Sequence, residues 1–206
     1  MIREALHRLR PLVEVRTAGL ERLAALAGPV VFAANHAHPF DARIVGDACP
    51  PRLRPSTLPP ALALRAGRSV LVFPEHGVSP DSTVGRFHPD AAALALSRAV
   101  PLVPVALRGS FALPHAGGTA AVRAERRTVL VRFGDPVPAD GGAGRVTARL
   151  RDAVVALLEE DATTWWDTAT SEAPAAAPER DSWLVTWQGL EPVRRPGGSE
   201  RPRIWS

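Results

Sequence analysis

Asn35, His36, His38 and Asp41 fall together in VVFAANHAHPFD, Val30 to Asp41, where an apolar run gives way at once to polar side chains. An imidazole that titrates near neutrality can take a proton from a hydroxyl. A carboxylate five residues further on can reach back across a turn, fix the imidazole tautomer and stabilise the imidazolium. His36 and Asp41 therefore make a base and its orienter without a protein nucleophile, a pair suited to activating a substrate alcohol. The same residues admit two other uses. One is purely structural, a strand-end histidine bonded to an aspartate at a helix start. The other is a metal-dependent hydrolase with His36, His38 and Asp41 as ligands. A barrel built round such a site needs about 250 residues, and the remaining histidines show no ligand spacing. Spacing alone does not rank the candidates, because His76 and Asp81 repeat the His-x4-Asp pattern.

The elements that must hold these groups can be read from the apolar pattern. Pro29 to Ala34 does not alternate and reads as a strand buried on both faces. Val13 and Val15, Ser69 to Phe73, Leu102 to Leu107 and Thr128 to Phe133 read as further strands. Pro101 and Pro104, beside or within the fourth of these, point to an edge strand or a bulge. Helices are expected from Phe40, over Ala61 to Gly67, from His88 through Val100, and along the stripe Val146, Leu150, Val154, Leu157 and Leu158. Five prolines between Pro50 and Pro60 read as an extended connection. Strands alternating with helices predict an α/β domain, a mainly parallel β-sheet flanked by helices, over residues 1–170. The carboxyl ends of such strands are where open α/β sheets bind ligands, and Asn35 to Asp41 sits at one. Residues 171–206 read as an extended or disordered Pro-rich tail, with Trp183 and Trp187 as anchors for docking back.

Composition narrows the functional classes. The chain has 206 residues and a net charge of +4, and all 25 of its cations are arginine. No aromatic-plus-basic platform is visible, so nucleic acid is not an expected partner. A single cysteine, Cys49, excludes an internal disulfide and any multi-cysteine zinc site. The longest uncharged apolar stretch, Leu23 to Ala34, is too short for a spanning helix, which takes about 20 residues. No charged-then-apolar leader with a cleavage site opens the sequence, so the expected location is cytoplasmic. The opening MIREALHRLR reads as a short amphipathic helix that packs on the domain or rests on a membrane surface.

Order and combination then rank the candidates. NHxxxxD after a buried strand, an FPE strand end and a VPxxPV strand together resemble the lysophospholipid acyltransferase family, the glycerolipid acyltransferases that include 1-acylglycerol-3-phosphate acyltransferase. Asn35, His36 and Asp41 match its first motif. Phe73, Pro74, Glu75, Gly77 and Ser79, in FPEHGVS, resemble the third, which usually reads FPEGTRS. Pro101 and Pro104 in VPLVPV resemble the fourth, and ALRGS and VRFGDPV are similar to common family segments. The resemblance runs over about residues 12 to 168. It implies a glycerolipid acyltransferase-like fold in which His36, held by Asp41, deprotonates an acceptor hydroxyl. It implies as substrates a lysophospholipid and an acyl-CoA or acyl carrier protein thioester, with no cofactor and no metal. It also implies peripheral contact with the inner face of the plasma membrane. The third motif would bind the acceptor's phosphate, Glu75 being either such a contact or an acceptor for backbone N–H groups, and the fourth would shape the acyl-binding side. Three departures bear on the acceptor. Val78 stands where arginine is usual, His76 where glycine is usual, and the 39 residues from His36 to Glu75 are short by about a helix and a strand. Arg52, Arg54, Arg65 and Arg86 are the candidates for replacement charge. A homologue that binds acyl-CoA or lipid without turnover is the alternative these departures raise.

Overall fold

The computed structural model describes residues 13–79, 83–113 and 127–171, with side chains to residue 160. Met1 to Arg10, where a helix is expected, Asp81, the side chains of Trp165 and Trp166, and the tail from residue 172 lie outside the described residues. The chain divides into two compact units, Met1–Trp165 and Trp166–Ser206. The first carries the whole sheet, and of the second only the end of the last helix is described.

Five strands form one sheet: β1 (Val13–Ala18), β2 (Val31–Ala34), β3 (Val70–Val72), β4 (Leu102–Arg108) and β5 (Arg127–Phe133). Their spatial order is β1-β5-β4-β2-β3. β2 pairs in parallel with β3 and β4, and β1 in parallel with β5, while β4 and β5 are antiparallel. Among the described residues the α-helices are α1 (Asp41–Ala48), α2 (Pro60–Arg65), α3 (Asp90–Arg98) and α4 (Ala143–Ser171). The proline-rich connection is extended except for a short 3-10 turn at Pro51–Leu53.

The non-alternating β2 is explained by cover on both faces. Val30, Phe32 and Ala34 pack with Leu23, Leu53 and the α1 residues Ile44 and Val45. Val31 and Ala33 pack on the other face with Ala63 and Leu64 of α2, Ala91, Ala92 and Ala95 of α3, and Val146, Leu150 and Val154 of α4. The amphipathic stripe read from the sequence is thus the face that α4 lays on the sheet.

The expectation for Pro104 is corrected. β4 is an interior strand between β2 and β5, and Pro104 lies opposite Ala33. The alternation of strand hydrogen bonds turns its missing N–H toward β5. The ladder to β5 ends one residue away, at Val105 opposite Phe133, so the proline falls just beyond the regular pairing. The Pro104 carbonyl still accepts from the Gly134 N–H at 2.9 Å. A Cβ on Gly134 would come within 2.7 Å of Pro104 Cγ, so glycine is what lets the chain leave β5 past the proline ring.

Candidate active site

β2 runs out at Ala34, and the next residue locks the strand end. The buried Asn35 amide donates from Nδ2 to the Leu107 carbonyl at 3.0 Å and accepts the Leu107 N–H at Oδ1 at 2.8 Å. A side chain thereby continues the β2–β4 ladder one step beyond the backbone pairing. With both amide groups engaged, Asn35 positions the loop that follows.

That loop turns into α1, whose first residue is Asp41. Its carboxylate is fully buried. A single oxygen, Oδ2, accepts the N–H of Ala37 at 2.8 Å and of His38 at 2.7 Å and meets His36 Nδ1 at 3.1 Å. Two backbone donors and the α1 N-terminus stabilise the anion. Oδ1 has no hydrogen-bond partner among the described residues. Because a carboxylate only accepts, Nδ1 carries the ring proton and Nε2 the lone pair, the tautomer a general base needs. The His36 side chain is 18% exposed, against 0% for Asp41. The imidazole is open at its edge while its orienter is sealed. Phe73 stacks on the ring, with centroids 4.1 Å apart.

Of the two roles considered for Glu75, the structure shows the carboxylate accepting backbone N–H groups. Oε1 accepts the His36 backbone N–H and Oε2 the Gly85 N–H, each at 2.9 Å. The carboxylate therefore straps the loop after β3 to the His36 turn and to the 83–88 segment. Ser79 adds a second strap, its N–H donating to the His36 carbonyl at 2.7 Å. The buried Pro74 offers its carbonyl to the His88 N–H. Gly77 stands in open space, with nothing a Cβ would meet, and Val78 is exposed.

Asn35, His36, Asp41, Phe73, Glu75 and Ser79 are thus brought together. Pro101 is not among them. It precedes β4 at the opposite end of the sheet, its carbonyl accepting the Val31 N–H, and Pro104 packs in mid-strand against Gly134. His76 pairs with Asp90 through Nε2 and Oδ2 and stacks on His88 at 4.1 Å, and the expected Asp81 lies outside the described residues.

Beside the strand ends lies a cleft of about 270 Å³, lined by the apolar Ala37, Leu107, Phe111 and Leu158 and by Asn35, Arg108, Gly109 and Ser110. Asn35 and Ala37, the two chain neighbours of His36, both line it, while His36 itself does not. Ser110 is fully buried, and its hydroxyl oxygen has no partner among the described residues. Sequence reasoning assigned no role to Arg108, Ser110 or Phe111. The ALRGS segment was the available signal, and only the β2–β4 pairing places it next to His36.

Among the described residues no group of three or more His, Cys, Asp or Glu side chains is disposed to hold a metal ion. His38 is buried, and its Nδ1 accepts the Phe40 N–H. Burial pushes the Cys49 thiol up to about 12, outweighing the pull of Arg54, so it stays a neutral core group. No helix among the described residues is long and apolar enough to cross a membrane.

No protein-family model matches the chain, and no curated protein does. Its structure is similar to the crystal structure of the 1-acyl-sn-glycerophosphate (LPA) acyltransferase PlsC from Thermotoga maritima. The TM-score is 0.59 and the identity 21%, over 77% of this chain and 75% of that one. The mixed five-stranded sheet with helices on both faces is therefore a glycerolipid acyltransferase-like fold.

Proposed function

We propose that the chain is an O-acyltransferase. It moves a fatty acyl group from an acyl-CoA or acyl carrier protein thioester to the hydroxyl of a lysophospholipid such as 1-acylglycerol-3-phosphate. The observation that carries this reading is the His36–Asp41 pair, with its carboxylate fully buried and its imidazole partly exposed, on a turn whose residues Asn35 and Ala37 line a mixed polar and apolar cleft. The likeness in fold to the LPA acyltransferase PlsC from Thermotoga maritima supports it.

His36 Nε2 takes the proton of the acceptor hydroxyl as its oxygen attacks the thioester carbonyl. The tetrahedral intermediate collapses with cleavage of the carbon–sulfur bond, and the imidazolium returns the proton to the departing thiolate. The products are an ester and a free thiol, and no acyl-enzyme forms. Asp41 stabilises the imidazolium between the two transfers. Glu75, Asn35 and Ser79 hold the turn in register, so the base is preorganised. The reaction calls for no cofactor and no metal. A lipid acceptor places the protein at a membrane surface, on the cytoplasmic side.

The test is acyl transfer from a thioester to a panel of lysolipids, with wild type and His36→Ala side by side. Transfer in the wild type that falls about 10²–10⁴-fold in the variant is expected. Equal rates in the two proteins would leave a lipid-binding homologue without turnover.

A further inference from the structure

A second cavity, of about 390 Å³, opens between the Gly85–Phe87 segment and the first two turns of α4, where Gly144, Thr147, Ala148 and Arg151 face it. Two of its lining residues are arginines and none is acidic. Arg151 is committed to the fold, donating from Nε to the Gly85 carbonyl at 3.0 Å and from Nη2 to the Val84 carbonyl at 3.1 Å. Arg86 is exposed, and its guanidinium makes no hydrogen bond or ion pair among the described residues. The cavity is tied to the candidate base through one carboxylate, since Glu75 bonds the Gly85 N–H with one oxygen and the His36 N–H with the other.

The other arginines considered for replacement charge are placed elsewhere. Arg52 is spent on the carbonyls of Leu23, Ala24 and Leu26. Arg54 lies near Cys49, at the end of α1 remote from Asp41. Arg65 ends α2 ahead of β3, toward the amino ends of the parallel strands β2 and β3, whereas His36 follows the carboxyl end of β2.

We infer that this cavity binds a phosphate ester of one of the two substrates, with Arg86 as its principal ligand. The inference rests on the acyltransferase reading for the identity of those substrates. A guanidinium with no partner among the described residues presents a planar fork that matches phosphate oxygens. Arg151 adds a second positive charge and fixes the loop that carries Arg86. Glycine and alanine on the α4 side leave room for the ligand. The phosphate belongs either to the nucleotide of an acyl-CoA donor or to the headgroup of the acceptor.

The experiment is equilibrium binding of two probes, adenosine 3′,5′-bisphosphate and glycerol 3-phosphate. It uses folded wild type, Arg86→Gln, Arg86→Lys, Arg65→Gln and His36→Ala. At least one probe is expected to bind, about tenfold more weakly to Arg86→Gln, with partial recovery in Arg86→Lys and no change in Arg65→Gln. The bisphosphate as the ligand assigns the cavity to the donor, and glycerol 3-phosphate assigns it to the acceptor. Binding to neither probe, or equal loss in Arg86→Gln and Arg65→Gln, overturns the inference. His36→Ala is expected to bind like wild type, so failure of the catalytic reading appears in turnover and failure of this one in binding.

Discussion

Two histidine–aspartate pairs occur among the described residues, and they are built differently. In the first, Asp41 is fully buried, its Oδ2 takes two backbone donors as well as His36 Nδ1, and the histidine is 18% exposed. In the second, His76 and Asp90 are 49% and 53% exposed, and His76 adopts a left-handed backbone at φ +58°. That backbone costs a non-glycine residue about 1–2 kcal/mol. The His88 stack and the Asp90 contact offset it, and an ion pair so exposed contributes little by itself. Proximity alone therefore does not tell the two pairs apart; burial and backbone donors do. The carboxylate of the buried pair is fixed by two N–H groups that do not depend on the histidine.

The largest expected effect that sharpens this contrast is at Asp41. Asp41→Asn keeps an oxygen for the Ala37 and His38 N–H groups but no longer stabilises an imidazolium. Thioester-dependent transfer is expected to fall about 10²–10⁴-fold with the fold retained, and combining it with His36→Ala should cost little more. Circular dichroism and initial rates check both statements. Next comes Glu75→Ala, which strands two N–H groups and unties the His36 turn from Gly85. A loss of about 1–3 kcal/mol in denaturant unfolding is expected, together with a lower rate. A stability equal to wild type would show that the two straps are redundant. The smallest effect is at the exposed pair. His76→Gly relieves the left-handed strain but frees the unfolded chain, so stability should change by no more than about 1 kcal/mol. Its transfer rate should stay within about twofold of wild type.

The parts of the fold governed by local pattern were legible in the sequence. The buried β2, the α4 stripe and the polar cluster at the strand end follow from hydrophobic periodicity and its abrupt end, and the structure places them as expected. What was not legible depends on partners distant in the chain. Asn35 bonds Leu107 72 residues away, and Glu75 bonds the His36 N–H 39 residues away. Neither the amide nor the carboxylate announces from its own neighbours whether it will meet backbone or substrate. Pro104 misled for a related reason. Proline disfavours an interior strand unless the neighbouring strand ends beside it, and here Gly134 provides that ending. The left-handed His76, at a position where the resembled motif has glycine, shows the reverse case. The substitution was visible in the sequence, and the compensating stack on His88 was not.

The most direct measurement is the rate of acyl transfer from a thioester to a lysolipid by His36→Gln and His76→Gln, assayed together with the wild type. The account predicts loss of transfer in the first and near-wild-type transfer in the second. Transfer that survives in His36→Gln, or that disappears equally in both, would contradict it.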